Sequence, residues 1–236
     1  ISNWIKSYVD QMPVKAQSLV IGISGGIDSS VSSTLSAMTG IKTIVLTMPI
    51  RQKNNQHDLS LKHQGWLIKN FKNVEAHTIN LDKLFESFSS TLEKFDNEHG
   101  YANSRARLRM TTLYQVAAAN KGIVVGTGNK VEDFGVGFYT KYGDGGVDIS
   151  PIADCNKTEV WELGKELGIL KEIIEAPPTD GLWDDGRTDE GQLGFKYEDL
   201  EDAMKNPNSP HRQEYEKIRK QNLHKMEPIP VCKIPS

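Results

Sequence analysis

Leu19-Val20-Ile21-Gly22-Ile23-Ser24-Gly25-Gly26-Ile27-Asp28-Ser29-Ser30 is the stretch on which the fold turns. An apolar, β-branched run leads into Ser-Gly-Gly, then Asp-Ser-Ser, then residues 31–38 at helix-compatible spacing. The pattern reads as a buried strand, a tight glycine turn and a helix start. Glycines let a backbone take unusual dihedrals and come close to a ligand. The amides of such a turn and of the helix behind it point at an anion. Asp28 at that place repels an anion unless a cation stands between them. A phosphate and a magnesium ion together resolve the conflict. The run lacks the Gly-Lys-Ser/Thr of a Walker loop and the spacing of a dinucleotide GxGxxG turn.

Working outward, residues 42–49 (Lys-Thr-Ile-Val-Leu-Thr-Met-Pro) predict a second buried strand and residues 74–81 a third. Residues 122–127 (Gly-Ile-Val-Val-Gly-Thr) predict a short fourth. Between them, 58–71, 82–95 and 103–120 carry apolar residues at helical spacing, and 1–10 read as an amphipathic helix with Trp4, Ile5, Tyr8 and Val9. Strands alternating with helices predict an α/β fold, a parallel twisted sheet with helices on both faces, Rossmann-like. Ligands of such sheets bind beyond the carboxyl ends of the strands. The glycine turn and Thr127 should therefore face one crevice.

The second half changes character. Residues 134–148 are rich in glycine and aromatics and show no period. Asn156 and Glu159 resemble a capping box that opens a helix through Leu167, and Gly168 ends it. Residues 176–194 hold prolines, glycines and acids without apolar periodicity and are expected to form a mobile functional loop. Two helices, about 197–206 and 210–225, close the chain as a C-terminal helical appendage.

Asp28 and Glu132 each follow an apolar strand on the ligand side. Two carboxylates facing a polyphosphate need a divalent cation, and with Mg²⁺ they complete its oxygen shell. Lys141, Asp144 and Asp148 lie in a glycine-dense loop able to wrap a polar ligand, or to form a plain surface hairpin. Lys157 sits at a helix start, where a cation opposes the helix dipole, and this suggests a bound phosphate. Arg107, His224 and Lys225 are isolated cations that would ordinarily be solvated. No nucleophile constellation and no HxxxH pattern is present. The chemistry reads as positioning and electrostatics on a nucleotide.

The glycine turn resembles the SGGxDS pyrophosphate loop of ATP pyrophosphatases, which also occurs in GMP synthetase, asparagine synthetase and tRNA-thiolating enzymes. Four further stretches narrow the choice: Asn103-Ser-Arg-Ala-Arg107, Gly126-Thr-Gly-Asn-Lys-Val-Glu132, Phe138-Tyr-Thr-Lys-Tyr-Gly-Asp-Gly-Gly-Val-Asp148 and Ala176-Pro-Pro-Thr-Asp180. With them the chain is similar to the ammonia-dependent NAD synthetases over residues 1–225. The resemblance implies an adenine-nucleotide alpha-hydrolase-like core over about 19–170 within one domain spanning 1–236. It implies ATP-dependent amidation of deamido-NAD to NAD through an acyl-adenylate, with AMP and pyrophosphate released. Carried across, Gly22, Ile23, Ser24, Gly25, Gly26, Ile27, Asp28, Ser29, Thr127, Lys157 and Thr179 would bind ATP. Asp28 and Glu132 would hold Mg²⁺. Arg107, Lys141, Asp148, His224 and Lys225 would contact deamido-NAD, and Asp144 would deprotonate ammonium. The resemblance also implies a cytoplasmic homodimer with substrate bound across its interface. Thr47-Met48-Pro49 replaces the Arg-Leu-Pro of many relatives. No glutaminase domain fits into the residues before Leu19, so free ammonia is the expected nitrogen source.

Composition narrows the alternatives. The 236 residues carry a net charge of −3 and show no basic stripe, which disfavours a tRNA-acting SGGxDS enzyme and nucleic acid generally. No apolar run reaches the roughly 18 residues that suggest a membrane span. The two cysteines show no metal spacing and read as free thiols of a reducing compartment. A regulatory nucleotide-binding module of similar architecture remains an alternative, one with little need for two metal-binding acids.

Overall fold

The computed structural model describes residues 1–51, 54–179 and 188–234, without the side chains of 54–56. Four parallel strands form one sheet in the order β3-β2-β1-β4: β1 Ser18–Gly22, β2 Lys42–Thr47, β3 Val74–Thr78 and β4 Gly122–Val124. Two steps run outward from β1 to β3, and the chain then crosses back to place β4 on the other side of β1. That reversal creates a topological switch point between β1 and β4, where sheets of this kind open a crevice.

Helices cover both faces, as the period-two side chains of a buried strand require. Leu19 and Ile21 of β1, with Val45, Ile123 and Val125, meet α1 (Ser2–Gln11), α2 (Ile27–Ala37), α3 (Asn54–Asn70), α6 (Lys157–Glu166) and α7 (Lys171–Ile174). Val20, Ile44, Leu46 and Val124 point the other way, toward α4 (Asp82–Thr91) and α5 (Glu98–Ala119). The α/β reading of the sequence is borne out. A third cluster joins Val131 and Val136 to Tyr197, Leu200, Ala203 and Tyr215. It docks α9 (Tyr197–Lys205) and α10 (Arg212–Met226) beside the sheet.

Several boundaries differ from the sequence reading. α5 begins at Glu98 because Asn97 caps it, its side chain accepting from Gly100 N–H at 2.7 Å. α3 likewise starts at Asn54, ahead of the expected residue 58. Within the expected loop 176–194, residues 180–187 lie outside the described residues. Asp189–Leu193 form a short helix, α8, whose N-cap Thr188 accepts from Gly191 N–H at 3.1 Å. Lys130–Val136 form a π-helical turn, which apolar periodicity cannot reveal.

Candidate active site

β1 delivers the chain into the switch-point crevice. There Gly25, at φ +91°, makes a turn that a residue with a side chain rarely adopts. Hydroxyls then stitch the turn together. Ser29 Oγ accepts from Ser24 N–H at 3.2 Å, Ser24 Oγ accepts from Gly26 N–H at 3.2 Å, and Ser30 Oγ donates to Gly26 O at 2.9 Å. The first amides of α2 have no intrahelical acceptor. Ser24, Gly26, Ile27, Asp28 and Ser29 line a cavity shared with Thr127, Glu132, Lys157 and Thr179. An adjoining, more apolar cavity is lined by Gly22, Ile23, Met48, Leu113 and Val125.

At the floor of the turn, Lys157 Nζ donates to Asp28 Oδ2 at 2.5 Å and to Glu132 Oε1 at 2.9 Å. The lysine side chain is 2% exposed, and those of Asp28 and Glu132 are 17% and 15% exposed. Buried charges persist only when paired and hydrogen-bonded, and here they are. Asn129 Nδ2 donates to Asp28 Oδ1 at 2.9 Å, and Asn129 Oδ1 accepts from the amides of Val131 and Glu132. Tyr197 donates its hydroxyl to Glu132 Oε1 at 2.6 Å.

Burial raises the Asp28 carboxyl above its usual range, and Lys157 offsets this only in part. Burial pushes Glu132 upward too, but Lys157, Tyr197 and Asn129 outweigh it and leave Glu132 below its ordinary value. Desolvation would strip the proton from Lys157. The two carboxylates overcome that and hold the ammonium well above the lysine range. The sequence reading took a cation at this helix start as a sign of phosphate; in this structure the two acids offset the dipole. Glu159 accepts from Asn156 N–H at 2.7 Å, as the capping-box reading expects, and Glu201 of α9 takes Thr158 N–H at 3.0 Å.

A larger cavity, about 440 Å³, opens beside the first two. Arg107, Lys141, His224 and Lys225 line it together with Tyr139 and Asp144. The walls are clasped to one another. Arg107 donates to Lys141 O at 3.3 Å, Lys141 Nζ to His224 O at 2.7 Å, and Lys225 Nζ to Tyr139 O at 2.9 Å. Tyr139 returns its hydroxyl to Lys225 O at 2.5 Å. Asp144 borders all three cavities and accepts from Thr140 N–H at 3.0 Å. Asp148 does not line this cavity; it accepts from Val124 N–H at 2.7 Å and from the Tyr114 hydroxyl at 3.1 Å.

The structure thus gathers the glycine turn, Thr127, Glu132, Lys157 and Thr179 around one cavity, and four of the five expected dinucleotide contacts around the next. Sequence reasoning gave no role to several neighbours. Arg109 borders both the apolar cavity and the turn and donates to Met48 O at 3.0 Å. Asp133 lines the cavity at the glycine turn. Burial, then the charges of Asp144, Glu132 and Asp28, raise its carboxyl well above the usual range. Tyr197 has no motif signature, and Asn129, though inside the 126–132 stretch, was given no role. Asn129 could have been suspected as the residue capping the turn that carries Glu132.

Comparison with known proteins points to one family. A family model described as NAD synthase matches residues 1–234. The NH(3)-dependent NAD(+) synthetase of Carboxydothermus hydrogenoformans is 38% identical over 84% of this chain and 80% of its own length. The enzyme of the same description from Finegoldia magna is 36% identical over 95% of this chain and 90% of its own. Among solved structures, the NMN synthetase of Francisella tularensis superposes with a TM-score of 0.90 at 31% identity, covering 99% of this chain and 95% of that one.

Proposed function

Because the chain belongs to the NAD synthase family, we propose that it is an ammonia-dependent ligase that uses ATP to convert the nicotinate carboxylate of deamido-NAD to the carboxamide of NAD. The observation that carries the reading is the position of Asp144, between a glycine turn built for phosphates and a cation-lined cavity of nucleotide size. The described residues contain no helix long and apolar enough to cross a membrane.

The reaction runs in two steps. A carboxylate oxygen attacks the α-phosphorus of ATP, the bond to the β-phosphate breaks, and pyrophosphate leaves. Ammonia then attacks the acyl carbon of the adenylate, and AMP leaves with the oxygen. Turn amides and the Lys157 ammonium oppose the charge that grows on pyrophosphate. Arg107, Lys141, His224 and Lys225 hold the nicotinate nucleotide. Ammonium is the main form at neutral pH, and Asp144 takes its extra proton. Asp28 and Glu132 fit a divalent cation, since both already reach one common cation in the Lys157 ammonium. Mg²⁺ bound there would neutralise the phosphates. Residues 19–170 act as the ATP-handling core of one domain. The protein works as a cytoplasmic homodimer. Asp148 lies outside its own chain's cavity, which fits a dinucleotide bound across two copies.

The test is a product assay with deamido-NAD, ATP, MgCl₂ and ammonium chloride. NAD, AMP and pyrophosphate are expected, with glutamine a poor nitrogen source. ADP and phosphate would refute the reading. The Francisella relative favours a second reading, amidation of nicotinate mononucleotide. The same assay with both nucleotides decides by the ratio of their kcat/KM values.

A further inference from the structure

We infer that Tyr197 is a positioning residue of the phosphate-side cavity, holding Glu132 in its metal-binding orientation while its ring holds Lys157. The inference rests on the proposed ATP- and cation-dependent reaction and extends it to α9, an element outside the motifs.

Tyr197 is fully buried at the first turn of α9. Its hydroxyl and its ring act on two different members of the site. The hydroxyl donates to Glu132 Oε1 at 2.6 Å, and Asp189 Oδ2 lies 3.4 Å from the same hydroxyl. The ring centroid lies 4.9 Å from Lys157 Nζ, close enough for a cation–π attraction. Trp161 meets the Tyr197 ring edge-on at 5.8 Å and stands 5.9 Å from the same ammonium. The ammonium is thus held between two carboxylates and two aromatic rings.

The hydroxyl matters because of where Glu132 sits. Its backbone belongs to a single π-helical turn, held by Asn129 and by the Val131 and Val136 contacts with the appendage. Glu132 Oε1 takes hydrogen bonds from Lys157 and Tyr197 alike. In holding a divalent cation with Asp28, Glu132 would give up part of its pairing with the ammonium. The uncharged hydroxyl does not compete by charge, so it remains as the anchor that fixes the carboxylate's rotation. Hydrogen bonds behind a ligating side chain usually set metal affinity by about 10-fold or more.

The experiment measures Mn²⁺ binding by electron paramagnetic resonance in the presence of α,β-methylene-ATP, which is not split between its first two phosphates. Tyr197→Phe keeps the ring and removes only the hydroxyl. The expected result is about 10-fold weaker Mn²⁺ binding, a matching rise in the Mg²⁺ requirement for pyrophosphate release, and an unchanged KM for the nicotinate nucleotide. In a Glu132→Gln background the same substitution should have no further effect on Mn²⁺ binding, since its action passes through Glu132. Unchanged Mn²⁺ binding in Tyr197→Phe overturns the assignment alone. An equal loss with and without Glu132, or a parallel rise in both substrates' KM with a lowered Tm, also overturns it and marks a packing role. Wild-type protein that binds no Mn²⁺ overturns the metal reading itself and the assignment with it.

Discussion

Single side chains in this protein carry charge states that their surroundings dictate. Lys157 is the clearest: removing its ammonium leaves Asp28 and Glu132 facing each other in a site largely shut from water. Lys157→Met should therefore lower stability by about 3–5 kcal/mol, the usual penalty for breaking a buried pair. Urea unfolding measures it, and adding Asp28→Asn should recover part of the loss. His63 behaves in the opposite sense. It is fully buried, its Nε2 lies 3.0 Å from Ser33 Oγ, and burial lowers its pKa to about 4 from an ordinary 6.5. Between those values the unfolded chain binds the proton and the folded one does not. Stability therefore falls as pH drops from 6.5 toward 4, by as much as about 3 kcal/mol. Urea midpoints at pH 7 and pH 5 should converge in His63→Gln if this residue is responsible. Such effects are invisible in a sequence. Nothing in the letters around Lys157 says that two acids from distant strand ends meet it, and the helix-dipole argument at that position pointed to phosphate instead.

At the scale of elements, the decisive packing is between α2 and α6, since one starts at the glycine turn and the other at Lys157. Gly164 lets them touch: a Cβ there would stand 2.5 Å from Ile27 Cδ1 and 3.7 Å from Val31 Cγ2. Gly164→Ala should displace Ile27, cost about 1–3 kcal/mol and raise the KM for ATP more than that for the nicotinate nucleotide, as steady-state kinetics would register. The strands were legible because helices on both faces make their letters continuous apolar runs, and the long helices because burial of one face imposes a period near 3.6. The π-helical turn and α8 were not legible. Both are short, and tertiary contacts and capping hold them, as in the Asn129 bonds to Val131 and Glu132. The glycine-rich loop was readable as a ligand wall through its residue types, yet its clasp to α10 depends on main-chain oxygens that any residue supplies.

Across the whole molecule, sheet order explains why motifs scattered from residue 22 to residue 225 converge. β1 and β4 end side by side, and the glycine turn, α5, the glycine-rich loop and the start of α6 all bring residues to that edge. Arg107→Ala and Lys141→Ala, on separate elements of one cavity wall, are both expected to raise the KM for the nicotinate nucleotide several-fold and leave that for ATP nearly unchanged; initial-rate assays with each substrate varied test this.

The hydroxyl-rich helix behind the glycine turn has a consequence of its own. Ten residues of α2 are buried, and Ser33, Thr34 and Ser36 return their hydroxyls to carbonyls of the same helix. A core element lined with such small groups can be tightly enclosed without long apolar side chains. Past its first turn, its amides should be among the last to exchange with deuterated solvent. Isotope labelling would then find the body of this helix nearly silent in every liganded state, and would have to read occupancy from its unbonded first amides, the glycine turn and the glycine-rich loop.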